Sequence, residues 1–295
     1  MSPISDQSFI GNTALVQLRT LSCSQASLLM AKMECDNPSG SIKDRVARHM
    51  INQAEARGDI SAGDTLISAT SGNSGIAIAM ASCRRGYKSI SVVPNDIPTE
   101  MSIFIKSLGA DLMTVSGADP IRRSRDLAFE LAEKGVGYYL DEYTHVDSLN
   151  AHYLTTAPEI WDDTDGKVTH FVSAAGSLAT LMGVGAFLKE KDPNIQVIGV
   201  KSTEETYIPG ITSLSNSYER SIYQPGLVDE WFEVSPELAA NTTRKLSQDE
   251  GIFAGLSSGA TVAIGSRLCR QAEERNIVCV ICDRGDRYLS TGAYD

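Results

Sequence analysis

Three stretches in the second half of the chain, residues 170–173, 196–200 and 277–282, are apolar without polar alternation. A strand with one wet face alternates; a strand apolar on both faces must be covered on both. Helical patterns separate these stretches, near residues 178–189, 236–250 and 259–275. That order implies parallel sheets between helical layers, an α/β architecture.

The first half repeats the scheme. Residues 44–57 carry Val46, Met50, Ile51 and Ala54 on one stripe of a helix. Helices are also expected over 74–85, 100–108 and 121–134, and strands over 65–68, 89–93, 111–115 and 138–140. Two such units are expected. The polar, turn-rich stretch 142–149 is the candidate crossing between them. The expected division is a larger unit of residues 1–42 and 148–295 and a smaller, mobile one of 43–147.

A net charge of −11 excludes a phosphate-binding surface of the kind nucleic acid needs. No apolar run approaches the ~20 residues that span a bilayer. The opening residues lack the basic flank and apolar stretch of a signal peptide, so a cytoplasmic location is expected. The six cysteines show no disulfide framework. Cys279 and Cys282 have formal CxxC spacing, but within an apolar strand their side chains point to mismatched faces. The four histidines (His49, His145, His152, His170) lack ligand spacing and read as structural or surface groups.

Five turns carry the chemistry. In Asn37-Pro-Ser-Gly-Ser-Ile-Lys43-Asp-Arg45 a small-residue turn delivers a lysine to a helix start, where the macrodipole favours a neutral, nucleophilic amine. In Ser68-Ala-Thr70-Ser71-Gly72-Asn73-Ser74-Gly75 a strand runs through hydroxyls and glycine into a helix, a setting for a carboxylate or phosphate. Ser173-Ala-Ala-Gly176-Ser177-Leu178-Ala179-Thr180 repeats that form. The others are Gly255-Leu-Ser257-Ser258-Gly259 and the run Cys282-Asp283-Arg284-Gly285-Asp286-Arg287-Tyr288-Leu289-Ser290-Thr291. Singly, each is most simply a capped turn or a solvated lysine.

Together and in this order, with Ile10-Gly-Asn-Thr-Ala-Leu-Val16 before them and Ala151-His-Tyr153 and Thr155-Thr-Ala-Pro-Glu-Ile-Trp161 between, they resemble the cysteine synthase (O-acetylserine sulfhydrylase) family. The B-type enzymes of this family are the nearest in pattern. It belongs to the fold-type II, tryptophan synthase β-like enzymes that use pyridoxal 5'-phosphate (PLP). The resemblance implies that Lys43 carries PLP and moves the α-proton. It implies that Asn73 bonds the cofactor's ring hydroxyl and that Gly176, Ser177, Leu178, Ala179 and Thr180 hold its phosphate. Ser257 is implied in cofactor binding, and Cys282 or Asp283 at the pyridine nitrogen. Thr70, Ser71, Gly72, Asn73, Ser74, Glu142 and Gly210 are the implied substrate contacts.

The implied activity is β-replacement on an O-activated serine with sulfide or another nucleophile, giving cysteine or an analogue, in a homodimer. β-Elimination or hydrolytic exchange on cysteine, releasing H2S, is the alternative within the class. A non-catalytic relative that binds a partner's tail in its cleft is the alternative outside it.

Three positions depart from the family pattern. The phosphate turn, usually Gly-Thr-Thr/Gly-Gly-Thr in the family, is Gly176-Ser177-Leu178-Ala179-Thr180 here, and losing the inner glycine adds a Cβ where backbone should approach phosphate closely. Glu142 replaces a glutamine; ionised, it would repel a substrate carboxylate unless it is protonated, turned away or in contact with a substrate that carries an extra positive group. Thr212 and Ser213 follow Ile208-Pro-Gly-Ile211 where an arginine for bulky anionic sulfur donors is expected. The chain also ends at Asp295, without a longer tail to help close the site.

Overall fold

The computed structural model describes residues 9–21, 27–117, 119–212, 214, 221–271 and 274–295. It is α/β, with two sheets built largely from parallel strands.

The larger sheet takes strands β1 (Leu15–Gln17), β2 (Leu28–Lys32), β7 (His170–Ala174), β8 (Gln196–Lys201), β9 (Glu230–Glu233) and β10 (Asn276–Val280) in the order β1-β2-β10-β7-β8-β9. Only β1 runs antiparallel, with Val16 opposite Ala31. Elsewhere Cys279 pairs with Ala31 and Val172, and Phe171 with Val197. Helices α8 (Pro236–Glu250) and α9 (Leu256–Cys269) lie on one face with Val172, Ile198 and Cys279. Helices α6 (Ala157–Asp163) and α7 (Ala179–Lys191) cover the other with Phe171, Val197 and Val280. The central strands β7, β8 and β10 are largely apolar because both faces of the sheet are dry there.

The smaller sheet is wholly parallel: β3 (Thr65–Ala69), β4 (Lys88–Pro94), β5 (Asp111–Val115) and β6 (Tyr138–Tyr139), in the order β5-β4-β3-β6. Helices α1 (Lys43–Arg57) and α2 (Asn73–Arg85) pack against Leu66. Helix α4 (Pro120–Glu133) covers Ile67, Val92 and Val115 from the opposite side. Helix α3 (Thr99–Ser107) and α2 enclose Tyr288 from the end of the chain.

Local chemistry sets the helix limits. Gly58 and Gly86 stop α1 and α2 in the left-handed conformation that glycine adopts without strain. Asp119 and Ser235 accept from the backbone N–H of Arg122 and Leu238, and Pro120 and Pro236 occupy first turns that need no N–H.

The structure corrects three expectations. The stretch 142–149 is not simply a turn: α5 (Val146–Ala151) begins inside it and continues through a π-helical turn, His152–Thr156, into α6. Helix α9 starts three residues before Gly259 and stops at Cys269, well short of residue 275. Strands β1, β2 and β9 have no counterpart in the sequence-based reading.

Candidate active site

Lys43 is the first residue of α1, and Ile42 before it is anchored by its N–H to the Cys282 carbonyl at 2.8 Å. Two residues on, Arg45 is fully buried and fastens the start of the helix. It donates to both oxygens of Glu34 at 2.7 Å and both oxygens of Glu159 at 2.7 Å. Lys32 adds a second cation, 3.0 Å from Glu159. Burial alone would raise the Glu159 carboxyl, but the Arg45 guanidinium holds it down at about 2.

The Lys43 amine projects into an open cleft lined by Thr70, Ser71, Asn73 and Ser74 on one side and Gly176, Ser177 and Gly210 on the other. Its Nζ lies 2.5 Å from Glu142 Oε2 and 3.2 Å from Ser177 Oγ. The second Glu142 oxygen accepts from the Ser74 hydroxyl. The Glu142 side chain, 6% exposed, is therefore turned toward the lysine. None of the three accommodations expected from the sequence includes what the structure shows, a carboxylate paired with the chain's own Lys43.

Turn 70–75 gets its shape from Gly72, at φ +144°, where a Cβ would stand 1.9 Å from Met101 Sδ. Thr70 Oγ1 accepts from the Gly72 N–H at 2.9 Å, which leaves Asn73 to open α2. Both ends of the Asn73 amide are held: Nδ2 donates to Asp283 Oδ2 at 2.6 Å, and Oδ1 accepts from Arg287 Nε at 2.7 Å.

Leu178 occupies the left-handed region at φ +72° immediately before α7, the backbone state that a glycine would take freely. Its side chain is 2% exposed and packs among Ala175, Ala179 and Val280. The added Cβ thus leads into the core, while Gly176 and Ser177 present the turn to the cleft. Thr180 contacts His152 Nε2 at 3.3 Å. That ring is fully buried, and desolvation holds it well below the usual histidine range.

Asp283 and Cys282 are not among the residues lining the cleft. Asp283 is buried against Asn73 and Tyr288, and desolvation raises its carboxyl. The Cys282 thiol is pushed up to about 12 by burial and hydrogen-bonds the Ser257 side chain. Ser257 is buried beneath Gly210, within 3.4 Å of where a Cβ on that glycine would sit. Cys279 belongs to the core on one face of the larger sheet and Cys282 packs against the core on the other, so they do not form a paired thiol site. Thr212 borders the cleft and donates its hydroxyl to the Ala175 carbonyl at 3.1 Å; Ser213 lies outside the described residues.

Several contributors carried no recognisable signal in the sequence. The cleft also includes Ile121, Tyr143 and Tyr207, and α1 is locked by Glu34 and Glu159. Arg45 was visible in the lysine segment, yet its acceptors lie 11 and 114 residues away.

The residues present fit PLP. A lysine amine stands in the cleft, and beside it are a hydroxyl turn and the start of a 13-residue helix whose first N–H groups have no intrahelical acceptor. The side chain that departs from the family turn is packed away from this opening. Fold and site together define a PLP-dependent enzyme with its cofactor lysine at a helix start.

The chain belongs to that family: residues 7–283 match the family described as pyridoxal-phosphate dependent enzyme. It is similar to cysteine synthase B of Pseudomonas aeruginosa, with 46% identity over 97% of this chain and 96% of that one. Among solved structures it resembles an O-ureido-L-serine synthase, with a TM-score of 0.93 and 31% identity over 99% of this chain and 96% of that one. It also resembles a hydrogen sulfide-producing enzyme of Fusobacterium nucleatum, with a TM-score of 0.90 and 30% identity over 96% of this chain and 98% of that one.

Proposed function

We propose that this enzyme performs β-replacement on an O-activated L-serine such as O-acetylserine, with sulfide or another small nucleophile as second substrate. The observation that carries the reading is Lys43 Nζ held in the cleft between the turn 70–75 and the turn 176–180. When bound, PLP supplies the electron sink that makes the α-proton labile and the β-substituent a leaving group.

The chain's own residues do the rest. Lys43 anchors the cofactor and, once freed by the incoming amino acid, takes the α-proton and later returns it. Thr70, Ser71, Gly72 and the backbone N–H of Ser74 receive the substrate carboxylate, with Gly210 closing the opposite wall. Asn73, oriented by Asp283 and Arg287, bonds the ring hydroxyl. The turn from Gly176 through Ser177, Leu178 and Ala179 to Thr180 holds the phosphate. Ser257, with Cys282 behind it, offers a neutral partner to the ring nitrogen, whereas Asp283 acts through Asn73.

Residues 43–147 form the unit that closes on the amino acid, and the enzyme works as a cytoplasmic homodimer. Release of H2S from cysteine uses the same steps run on a thiol leaving group; the F. nucleatum neighbour's hydrogen sulfide production favours it as the second reading.

A spectral titration of the PLP form tests the proposal. O-acetylserine should bleach or shift the cofactor band, sulfide should restore it, and cysteine should accumulate. Borohydride reduction should fix the cofactor to the Lys43 peptide. A cofactor band indifferent to O-acetylserine, O-phosphoserine and cysteine alike would reject it.

A further inference from the structure

Among the described residues lining the cleft, Lys43 and Glu142 are the only ones with a formal charge. Two arginines behind the lining are already committed, Arg287 to Asn73 at 2.7 Å and Arg125 to Asp141 at 3.3 Å. Arg125 also lies over the Tyr143 ring at 4.7 Å. Ser74 and Thr212 direct their hydroxyl hydrogens to Glu142 and the Ala175 carbonyl. Before the amino acid arrives, with Lys43 tied up covalently, the described lining keeps one buried carboxylate and no other formal charge; once the amino acid frees Lys43, its amine again lies beside that carboxylate.

The position of that carboxylate is informative. Glu142 Oε2 lies at hydrogen-bond distance from Nζ, the atom that must reach the substrate α-carbon. The β-carbon is one bond beyond, so the same oxygen can reach a nucleophile arriving there. An anion such as thiosulfate would meet like charge in a poorly hydrated cleft. A neutral nucleophile carrying an N–H or O–H would meet a base.

Resting on the β-replacement reading, we propose that Glu142 selects the second substrate: it disfavours bulky anionic donors such as thiosulfate and is the general base for a nucleophile that arrives neutral with an N–H or O–H. The step is balanced. The nucleophile's lone pair forms the bond to the β-carbon from which the carboxylate leaving group has departed with its electron pair. The proton from the nucleophile passes to Glu142 Oε2 and then to solvent, and the α-proton returns from Lys43. The products are the β-substituted alanine and the free acid.

The test uses the holoenzyme and its Glu142→Gln and Glu142→Asp variants. O-acetylserine is mixed first, and the return of the cofactor spectrum is then followed with 1,2,4-triazole and with thiosulfate, products being identified by mass. Glu142→Gln should slow the triazole reaction about 100-fold and speed the thiosulfate reaction about tenfold. Glu142→Asp, which keeps the charge, should still discriminate against thiosulfate. Calorimetry of thiosulfate binding to the holoenzyme, without amino acid, should show about tenfold tighter binding in Glu142→Gln alone.

Equal effects on both nucleophiles, or thiosulfate binding unchanged by Glu142→Gln, would overturn the proposal. A wild-type spectrum that ignores O-acetylserine would sink the β-replacement reading instead, and the calorimetry would still decide whether the carboxylate disfavours bulky anions.

Discussion

Asn73 and Asp283, 210 residues apart in the chain, meet at 2.6 Å, amide nitrogen to carboxylate oxygen, and that same oxygen accepts the Tyr288 hydroxyl at 2.5 Å. The first residue of α2 is thereby oriented by the segment that follows β10. With Arg287 on its other end, the Asn73 amide has a single arrangement that satisfies both partners. A buried carboxylate here positions a neutral side chain.

The other Asp283 oxygen, Oδ1, is buried without a hydrogen-bond partner, so the charge is poorly compensated. Asp283→Asn keeps an oxygen for Asn73 and Tyr288 and should change stability by less than about 1 kcal/mol at neutral pH. Asp283→Ala abandons two buried donors and should cost about 2–3 kcal/mol, with weaker amino-acid binding. The pH dependence has a definite sign. Burial raises this carboxyl in the folded state, so the folded protein holds the proton longer and loses stability as pH rises from the unfolded to the folded value. Asp283→Asn should therefore gain on the wild type across that interval in denaturant titrations at stepped pH. A difference constant with pH would contradict the assignment.

Leu178 tests whether the unusual phosphate turn weakens the cofactor site. Its left-handed backbone costs about 1–2 kcal/mol, but its buried side chain contributes more through packing. Leu178→Gly should lower stability by about 1–3 kcal/mol net while the PLP dissociation constant stays within about threefold. Tightening beyond tenfold in an absorbance titration would mean that the leucine obstructs the phosphate.

The pattern of the fold was legible where one segment carried its own signal. Apolar strands β7, β8 and β10 declare dry faces, and α1, α2 and α8 carry glycine stops or a serine cap within a few residues of their ends. Strand β9, Glu-Trp-Phe-Glu, did not read as a strand because it sits at a sheet edge and keeps polar ends. Strand β1 is three residues long, too short for a period to show. The π-helical turn at 152–156 depends on packing rather than propensity, with His152 bonding Thr156 within it and Thr180 of α7 across the seam.

The site divides the same way. Lys43, Thr70, Asn73 and the turn at 176 were legible because each lies at a strand-to-helix junction with small residues around it. The direction of Glu142 was not, since it depends on Lys43 and Ser74, 99 and 68 residues away. Nor could the sequence show that neither Cys282 nor Asp283 lines the cleft, since adjacent residues point to different surroundings.

The Arg45 cluster gives an acid-stability prediction. Glu159 is held down at about 2, so its contribution is present above the ordinary carboxylate value and is lost as pH falls toward 2. Glu159→Gln should cost about 2 kcal/mol at pH 7, a cost that shrinks toward zero as pH falls to about 2. Since Arg45 lies two residues after Lys43, the variant should also slow cofactor capture. An undiminished gap between variant and wild type at low pH would mean that the pair contributes through packing alone.

Gly183 makes a different kind of demand from the glycines in the turns. It sits in the second turn of α7, the helix whose first residues follow the turn 176–178, and it faces the seam with α5. A Cβ there would stand 2.2 Å from the Leu149 carbonyl oxygen and 2.9 Å from the Tyr153 nitrogen. Both obstacles are backbone, so no side-chain rotation relieves them, and one helix must move. Gly183→Ala should cost about 1–3 kcal/mol in spite of alanine's better helix propensity. The shift also reaches the cofactor turn, because Thr180 and His152 couple α7 to that seam at 3.3 Å. PLP affinity should then fall about tenfold, in contrast to Leu178→Gly, which changes a residue of the turn itself and leaves affinity nearly unaltered. Measuring both variants in one cofactor titration separates the two effects. If Gly183→Ala loses stability without losing affinity, the phosphate turn is held by its own backbone and not by the placement of α7.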